Sequence, residues 1–163
     1  MGIQGLLPVC KHVISPCSLE EYRNKSVAID GYSWLHKAVY GCCVELALKQ
    51  INIKSKKWIQ YCINLIDMIL YYNITIYMVF DGANLPAKAA TEKSRALDRL
   101  KNYEKGIQAL KDCNNDYNNY NVRMYFSRCI DVNPEMAAEL IQILRTTRKS
   151  VEIIVAPYEA DAQ

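Results

Sequence analysis

No apolar run in this sequence approaches the roughly 20 residues that a bilayer-spanning helix needs, so no transmembrane segment is expected. The N-terminus does not join a basic stretch to an apolar one, so no secretory signal is expected either. Met1-Gly2 invites N-myristoylation, but Leu6 stands where Ser or Thr is required, which excludes it. C-x-x-C pairs are absent. The seven cysteines, at 10, 17, 42, 43, 62, 113 and 129, are odd in number and several fall on apolar faces. A disulfide framework and a zinc site are therefore not expected, and a reduced cytosolic or nuclear setting is. An excess of one sign of charge is nearly absent as well. A formal net charge of +3 does not by itself argue for nucleic acid, so the distribution of charge must decide. There is no internal repeat.

What is present is enough apolar content, in 163 residues, for one domain with a real core. The start reads as a flexible segment and a short helix after Pro8, followed over 15–24 by a loop with a helical turn. Residues 26–30 (SVAID) form a short apolar strand that ends on Asp30-Gly31. Apolar residues at three- and four-residue steps predict a helix over 32–49, and a polar connection over 50–57 leads to a second apolar helix over 58–72. Residues 74–80 (ITIYMVF) are a strand that ends on Asp81-Gly82. From 86 to 112 basic residues exceed acidic ones and large apolar residues thin to Leu97, Leu100, Ile107 and Leu110, which predicts a long helix with a narrow apolar stripe. The Asn/Tyr-rich stretch 113–121 reads as a mobile low-complexity loop, and 122–130 as a short extended or helical segment. Asn133-Pro134 starts an amphipathic helix over 134–149, with Asn as cap and Pro at the first position. Residues 151–155 (VEIIV) have the composition of a strand buried on both faces, stopped by Ala156-Pro157. Trp34 and Trp58 are assigned to the core. Strands separated by helices give an α/β fold with a parallel sheet, helices on its flanks and a basic helical arch, about 84–130, after the second strand.

Each strand empties into acid: Asp30, Asp81, and the pair Glu159 and Asp161. In a parallel sheet these ends share one edge, where ligands collect. Carboxylates brought together repel unless cations accompany them, and hard divalent cations such as Mg²⁺ take oxygen ligands. Paired cations about 4 Å apart clamp the attacking and leaving oxygens of a phosphodiester. The plainer alternative is that an Asp after a strand forms a turn or caps a helix. The basic helix from Lys88 is by itself a solvated charged face; beside a carboxylate edge it becomes a guide for phosphates. Tyr32 and His36, one helical turn apart just beyond Asp30, are either ordinary helix-face residues or an aromatic platform for a base.

Taken together and in order, MGIQGLL, AIDGYSWLHK, VFDGANLPAK and VAPYEADAQ resemble the N-terminal region of the structure-specific 5′ nucleases, the flap-endonuclease or XPG-type superfamily, in its exonuclease 1-like branch. The resemblance covers nearly the whole chain and is weakest over 101–122. It implies a PIN-like 5′ nuclease fold and a Mg²⁺-dependent 5′-to-3′ exonuclease and 5′-flap endonuclease acting on duplex DNA in nuclear DNA repair, with two Mg²⁺ ions. Asp30, Asp81, Glu159 and Asp161 match the family's metal-binding acids. Lys88 and Arg95 match the basic pair on the mobile arch helix that contacts the scissile phosphate. Tyr32 matches the aromatic that stacks near the cleaved nucleotide, His36 a position facing the duplex end, and Gly2 the small N-terminal residue packed near the site.

Two departures qualify the match. Ala89, Ala90, Ala96 and Leu97 stand where similar family members carry a denser basic run, so the implied phosphate grip rests on Lys88 and Arg95. The family also continues beyond the matched region with further acids and a helix–two-turn–helix DNA-binding element with K⁺. On this reading the sheet and the second metal site are expected to be incomplete over 1–163, and the chain alone weakly active or inactive. The expected partners are DNA with 5′ ends or flaps and repair proteins, with no membrane and no small-molecule substrate. The alternative is a non-catalytic DNA-end-binding module or truncated relic of such a nuclease; an RNA-directed nuclease of similar topology ranks last.

Overall fold

The computed structural model describes residues 6–49, 56–83 and 85–160. Of the expected site residues, Gly2 and Asp161 lie outside these, as does most of the connection over 50–57.

Three strands, β1 (Ser26–Asp30), β2 (Thr75–Phe80) and β3 (Val151–Val155), form a parallel sheet in the order β1-β2-β3. Ser26 stands beside Thr75 and Ile76 beside Val151, so the three carboxyl ends point the same way. The helices are α1 (Leu6–Val9), α2 (Gly31–Val39), α3 (Cys43–Ala47), α4 (Lys57–Tyr71), α5 (Ala89–Asp112), α6 (Tyr120–Cys129) and α7 (Pro134–Thr147). None of the described helices is long and apolar enough to cross a membrane. Asn24 and Asn73 adopt left-handed backbone (φ 62° and 55°) just before β1 and β2, where an amide side chain tolerates that conformation. They also hydrogen-bond to each other, which ties the two strand entries together.

The main core is the seam between one face of this sheet and α2, α4 and α7. Ile29, Ile76, Met78 and Phe80 meet Leu35, Ile66, Leu140 and Leu144 there. Burial of this apolar surface is the principal stabilising term. Asp67 on α4 accepts two bonds from Arg148, at 2.6 and 2.8 Å, at the end of α7. That guanidinium, through its hydrogen bonds, holds the Asp67 carboxyl below its usual range.

Several sequence expectations are corrected. Helical structure begins earlier than expected, since α1 (Leu6–Val9) already includes Pro8, which is tolerated in a first turn; the short 3₁₀ turn Cys10–Val13 then follows Pro8 as expected. The helix expected over 32–49 breaks at the tight turn Tyr40–Cys42. The break turns the chain from one core to another: Cys42 faces the main core, whereas Cys43 and Val44 join a second cluster with Leu110, Val122 and Phe126. Trp58 is in the core as expected, but Trp34 is only half-buried against it. β3 is not buried on both faces. It has a neighbour on one side only among the described residues, and Ile154 and Val155 are 37% and 54% exposed. The strand buried over most of its length is the middle one, β2.

The basic segment is a helical hairpin of α5 and α6. The stripe expected along α5 splits: Leu110 is buried, while Leu97 and Leu100 are 54% and 56% exposed. The Asn-rich stretch is an ordered turn. Asn114 and Asn115 supply left-handed backbone (φ 54° and 63°). Asp116 accepts from the Asn118 N–H at 2.9 Å, and Asn119 caps α6 by accepting from the Asn121 N–H at 2.9 Å. What reads as low complexity is turn and cap chemistry. Where α5 and α6 touch, Gly106 lies against the fully buried Phe126, and a Cβ there would stand 2.6 Å from the ring. Gly106→Ala is expected to destabilise the fold by about 1–2 kcal/mol, because overpacking of about 1–3 kcal/mol outweighs the helix-propensity gain of about 1 kcal/mol. Chemical denaturation measures this; equal or greater stability would show that the ring yields.

Candidate active site

The parallel register delivers Asp30 and Asp81 to one edge of the sheet, and the segment after β3 is hydrogen-bonded onto the same edge. The Ala156 N–H donates to Phe80 O at 2.9 Å, the Gly82 N–H to Tyr158 O at 2.6 Å and the Ala83 N–H to Pro157 O at 3.0 Å. The two exits run so close that a Cβ on Gly82 would stand 1.9 Å from Ala156 O. Gly82 is thus required for a close backbone approach, and that approach aims Asp81 and Glu159 into the same space.

Asp30, Asp81 and Glu159 line one cavity of about 450 Å³, together with Lys88 and Arg95. An adjoining cavity of about 1070 Å³ shares Asp30, Asp81 and Arg95 and is walled by Tyr32, His36, Lys37, Arg99 and Asp131. The two readings of the strand-end acids coexist at Asp30. It caps α2, its Oδ1 accepting from the Ser33 N–H at 3.1 Å, and it also faces the cavity. Asp81 Oδ1 accepts from the Ala160 N–H at 2.7 Å, which holds the Glu159 segment in place. Glu159 is ion-paired with Lys88, and Arg95 with Glu92.

The carboxylates suit a hard divalent cation by chemistry, since no thiol or imidazole is among the described residues lining that cavity. Among the described residues, however, no three acidic, His or Cys side chains converge closely enough to hold a metal ion. Asp30, Asp81 and Glu159 share a cavity here without forming a coordination sphere.

Tyr32 packs edge-on against Phe80, with ring centroids 6.1 Å apart. Burial, helped by the Asp81 carboxylate, raises its phenol above the ordinary range, so it stays protonated at neutral pH. His36 is pushed below its ordinary value by burial, with Arg95 and Arg99 adding to the effect against Asp30 and Asp131. It is therefore neutral at pH 7 and presents a flat uncharged ring. Sequence reasoning gave no site role to Glu92, Arg99, Asp131 or Gly82. The Glu92–Arg95 spacing is a helix ion-pair signal that could have been read. The Arg99–Asp131 pair, at 3.4 Å, joins α5 to the segment before α7 and has no local sequence signature.

The model of the XPG N-terminal domain matches residues 1–102. The chain belongs to the XPG N-terminal domain family. Over all 163 residues this XPG-type chain is 44% identical to exodeoxyribonuclease 1 of Schizosaccharomyces pombe and 39% identical to exonuclease 1 of Danio rerio. It spans 27% and 19% of the lengths of those two proteins. Its fold is that of the catalytic core of Rad2, solved in complex with DNA substrate: the TM-score is 0.60 at 21% identity, covering 99% of this chain and 39% of that one. The α/β architecture, with a helical segment after the second strand, is therefore shared with part of the Rad2 catalytic core.

Proposed function

We propose that this chain forms the carboxylate-bearing part of a Mg²⁺-dependent 5′ nuclease that trims or cuts duplex DNA from 5′ ends and flaps in nuclear DNA repair. The observation that carries the reading is the convergence of Asp30, Asp81 and Glu159 with Lys88 and Arg95 on one cavity. The names and full-length match of the exonuclease 1 relatives support it, as does the DNA substrate bound by the Rad2 core.

Asp30, Asp81 and Glu159, joined on the family resemblance by Asp161, would hold the cation. When bound, Mg²⁺ supplies Lewis-acid activation of the phosphodiester and of water. Lys88 and Arg95 offset the charge that grows on the phosphate. Tyr32 and neutral His36 offer rings to an unstacked base at the cavity wall. Arg99 and Lys37 extend positive charge along the wider cavity, where a phosphate backbone would be neutralised.

The described acids are too few and too dispersed for two cations, so weak turnover by the 163-residue chain alone is expected. The basic side chains around the two cavities, Lys37, Lys88, Arg95 and Arg99, also suit a second reading, a DNA-end-binding module without catalysis. The test uses a 3′-labelled duplex with a 5′ flap. With Ca²⁺, which supports binding without turnover, the protein is expected to prefer the 5′-ended duplex over RNA of the same sequence. With Mg²⁺ it is expected to shorten the label-bearing strand from its 5′ side. Binding with no cleavage in Mg²⁺ or Mn²⁺ selects the binding module, and no Ca²⁺-dependent preference for the 5′ end defeats both readings.

A further inference from the structure

Among the described residues, each strand-end acid of the cavity is already engaged by a donor of this chain. Asp30 accepts from the Ser33 N–H and Asp81 from the Ala160 N–H. Glu159 is different: its partner is a full positive charge, the Lys88 ammonium. The other cation facing the cavity, Arg95, is committed to Glu92 three residues before it on the same helix. Lys88 reaches Glu159 from the short turn Pro86–Lys88 that leads directly into α5. Among the described residues it is thus the one side-chain ion pair between the start of the helical hairpin and the acidic sheet edge.

We infer that Lys88 is an internal counter-cation that competes with a divalent cation for Glu159 and becomes free to meet a phosphate only once that cation binds. The inference rests on the metal-nuclease reading above. Its physical basis is like-charge exclusion. An ammonium and a divalent cation on one carboxylate stand a few Å apart and repel strongly in a partly desolvated site. Without a cation, Lys88 is the counter-charge of Glu159. With one, the same lysine is displaced toward the open cavity, where Arg95 also faces. Cation binding and phosphate grip are then ordered by one side chain rather than independent.

The test is Mn²⁺ binding to the purified protein without DNA, followed by electron paramagnetic resonance or calorimetry. Lys88→Met is expected to bind Mn²⁺ roughly tenfold more tightly than the parent, as removal of a unit charge a few Å from the ion predicts at intermediate dielectric. Lys88→Arg, which keeps the competing charge, is expected to bind no more tightly than the parent. Arg95→Met removes a cavity charge tied to Glu92 and is expected to change affinity by less than about twofold. Thermal melts confirm that each variant is folded. Unchanged or weaker Mn²⁺ binding by Lys88→Met overturns the inference while leaving the metal reading intact. So does an equal gain in Arg95→Met, which would mark a general field effect. Failure of both the parent and Lys88→Met to bind Mn²⁺ removes the metal site and the inference together.

Discussion

On the proposed nuclease reading, Asp81→Ala is expected to lower the weak phosphodiester cleavage of this chain by at least about a hundredfold, the scale of losing one electrostatic element of a site. Asp81 follows β2, the middle strand of the sheet, and faces both cavities. Its carboxylate is therefore central to any cation held between the β1 and β3 exits. The Ala variant loses two things at once, charge and the acceptor for the Ala160 N–H. Asp81→Asn separates them, because an amide oxygen can still accept that bond. Both variants should lose cleavage and Mn²⁺ binding to a similar extent. Asp81→Asn should keep its stability to within about 0.5 kcal/mol, and Asp81→Ala should lose about 1 kcal/mol through the broken hydrogen bond. Single-turnover cleavage, metal binding and denaturation measure the three effects. Near-parental cleavage by Asp81→Asn would take the Asp81 charge out of the chemistry.

Gly82→Ala should produce the largest loss of stability of any single methyl group added near the site. The new Cβ would lie 1.9 Å from Ala156 O and 2.8 Å from Pro157 O, both backbone atoms with no rotamer to change. The exits of β2 and β3 must separate, breaking the Gly82 N–H to Tyr158 O and Ala83 N–H to Pro157 O bonds that join them. A cost of about 3 kcal/mol, the upper end for overpacking, is expected. Cleavage should fall further than stability explains, because the displaced segment carries Glu159. Gly41→Ala is the control. A Cβ there meets nothing within 4 Å, and its stability should be unchanged or slightly improved. Parental activity at temperatures where folded Gly82→Ala persists would mean that the spacing of Asp81 and Glu159 does not matter.

The strands, their ends and their parallel direction were legible in the sequence because each is a short, largely apolar run, closed by Asp-Gly at β1 and β2 and by Ala156-Pro157 at β3. So was the start of α7, where Asn133 accepts from the Met136 N–H at 3.0 Å with Pro134 behind it. Burial was less legible. The VEIIV composition implies cover on both faces, but cover is supplied by other elements, and β3 has it on one face only. The helix over 32–49 kept its apolar period through a break, because Cys42 and Cys43 are both buried, each in a different core. The Asn-rich stretch looked unstructured because turn-forming and low-complexity compositions coincide. At the site, the types and order of Asp30, Asp81, Lys88, Arg95 and Glu159 were readable. The pairing of Lys88 with Glu159 and of Arg99 with Asp131 was not, since neither depends on local spacing.

Helix α5 runs for 24 residues, about 36 Å at 1.5 Å per residue, and is fastened near its two ends by unlike means. At its far end Gly106 and Leu110 are packed with Phe126 and Val122, a fulcrum that moves only if a core is unpacked. At its near end the fastening is a partly hydrated ion pair that a change of counter-ion can undo. Between them the Arg99–Asp131 ion pair adds a second polar fastening, so the near half of the helix is held by charge and the far half by packing. A small rotation about the fulcrum would carry the exposed Leu97 and Leu100 only part of the distance travelled by Lys88. Salt concentration should thus act as a mechanical variable in this protein, loosening the helix at the acidic edge while its fulcrum stays fixed.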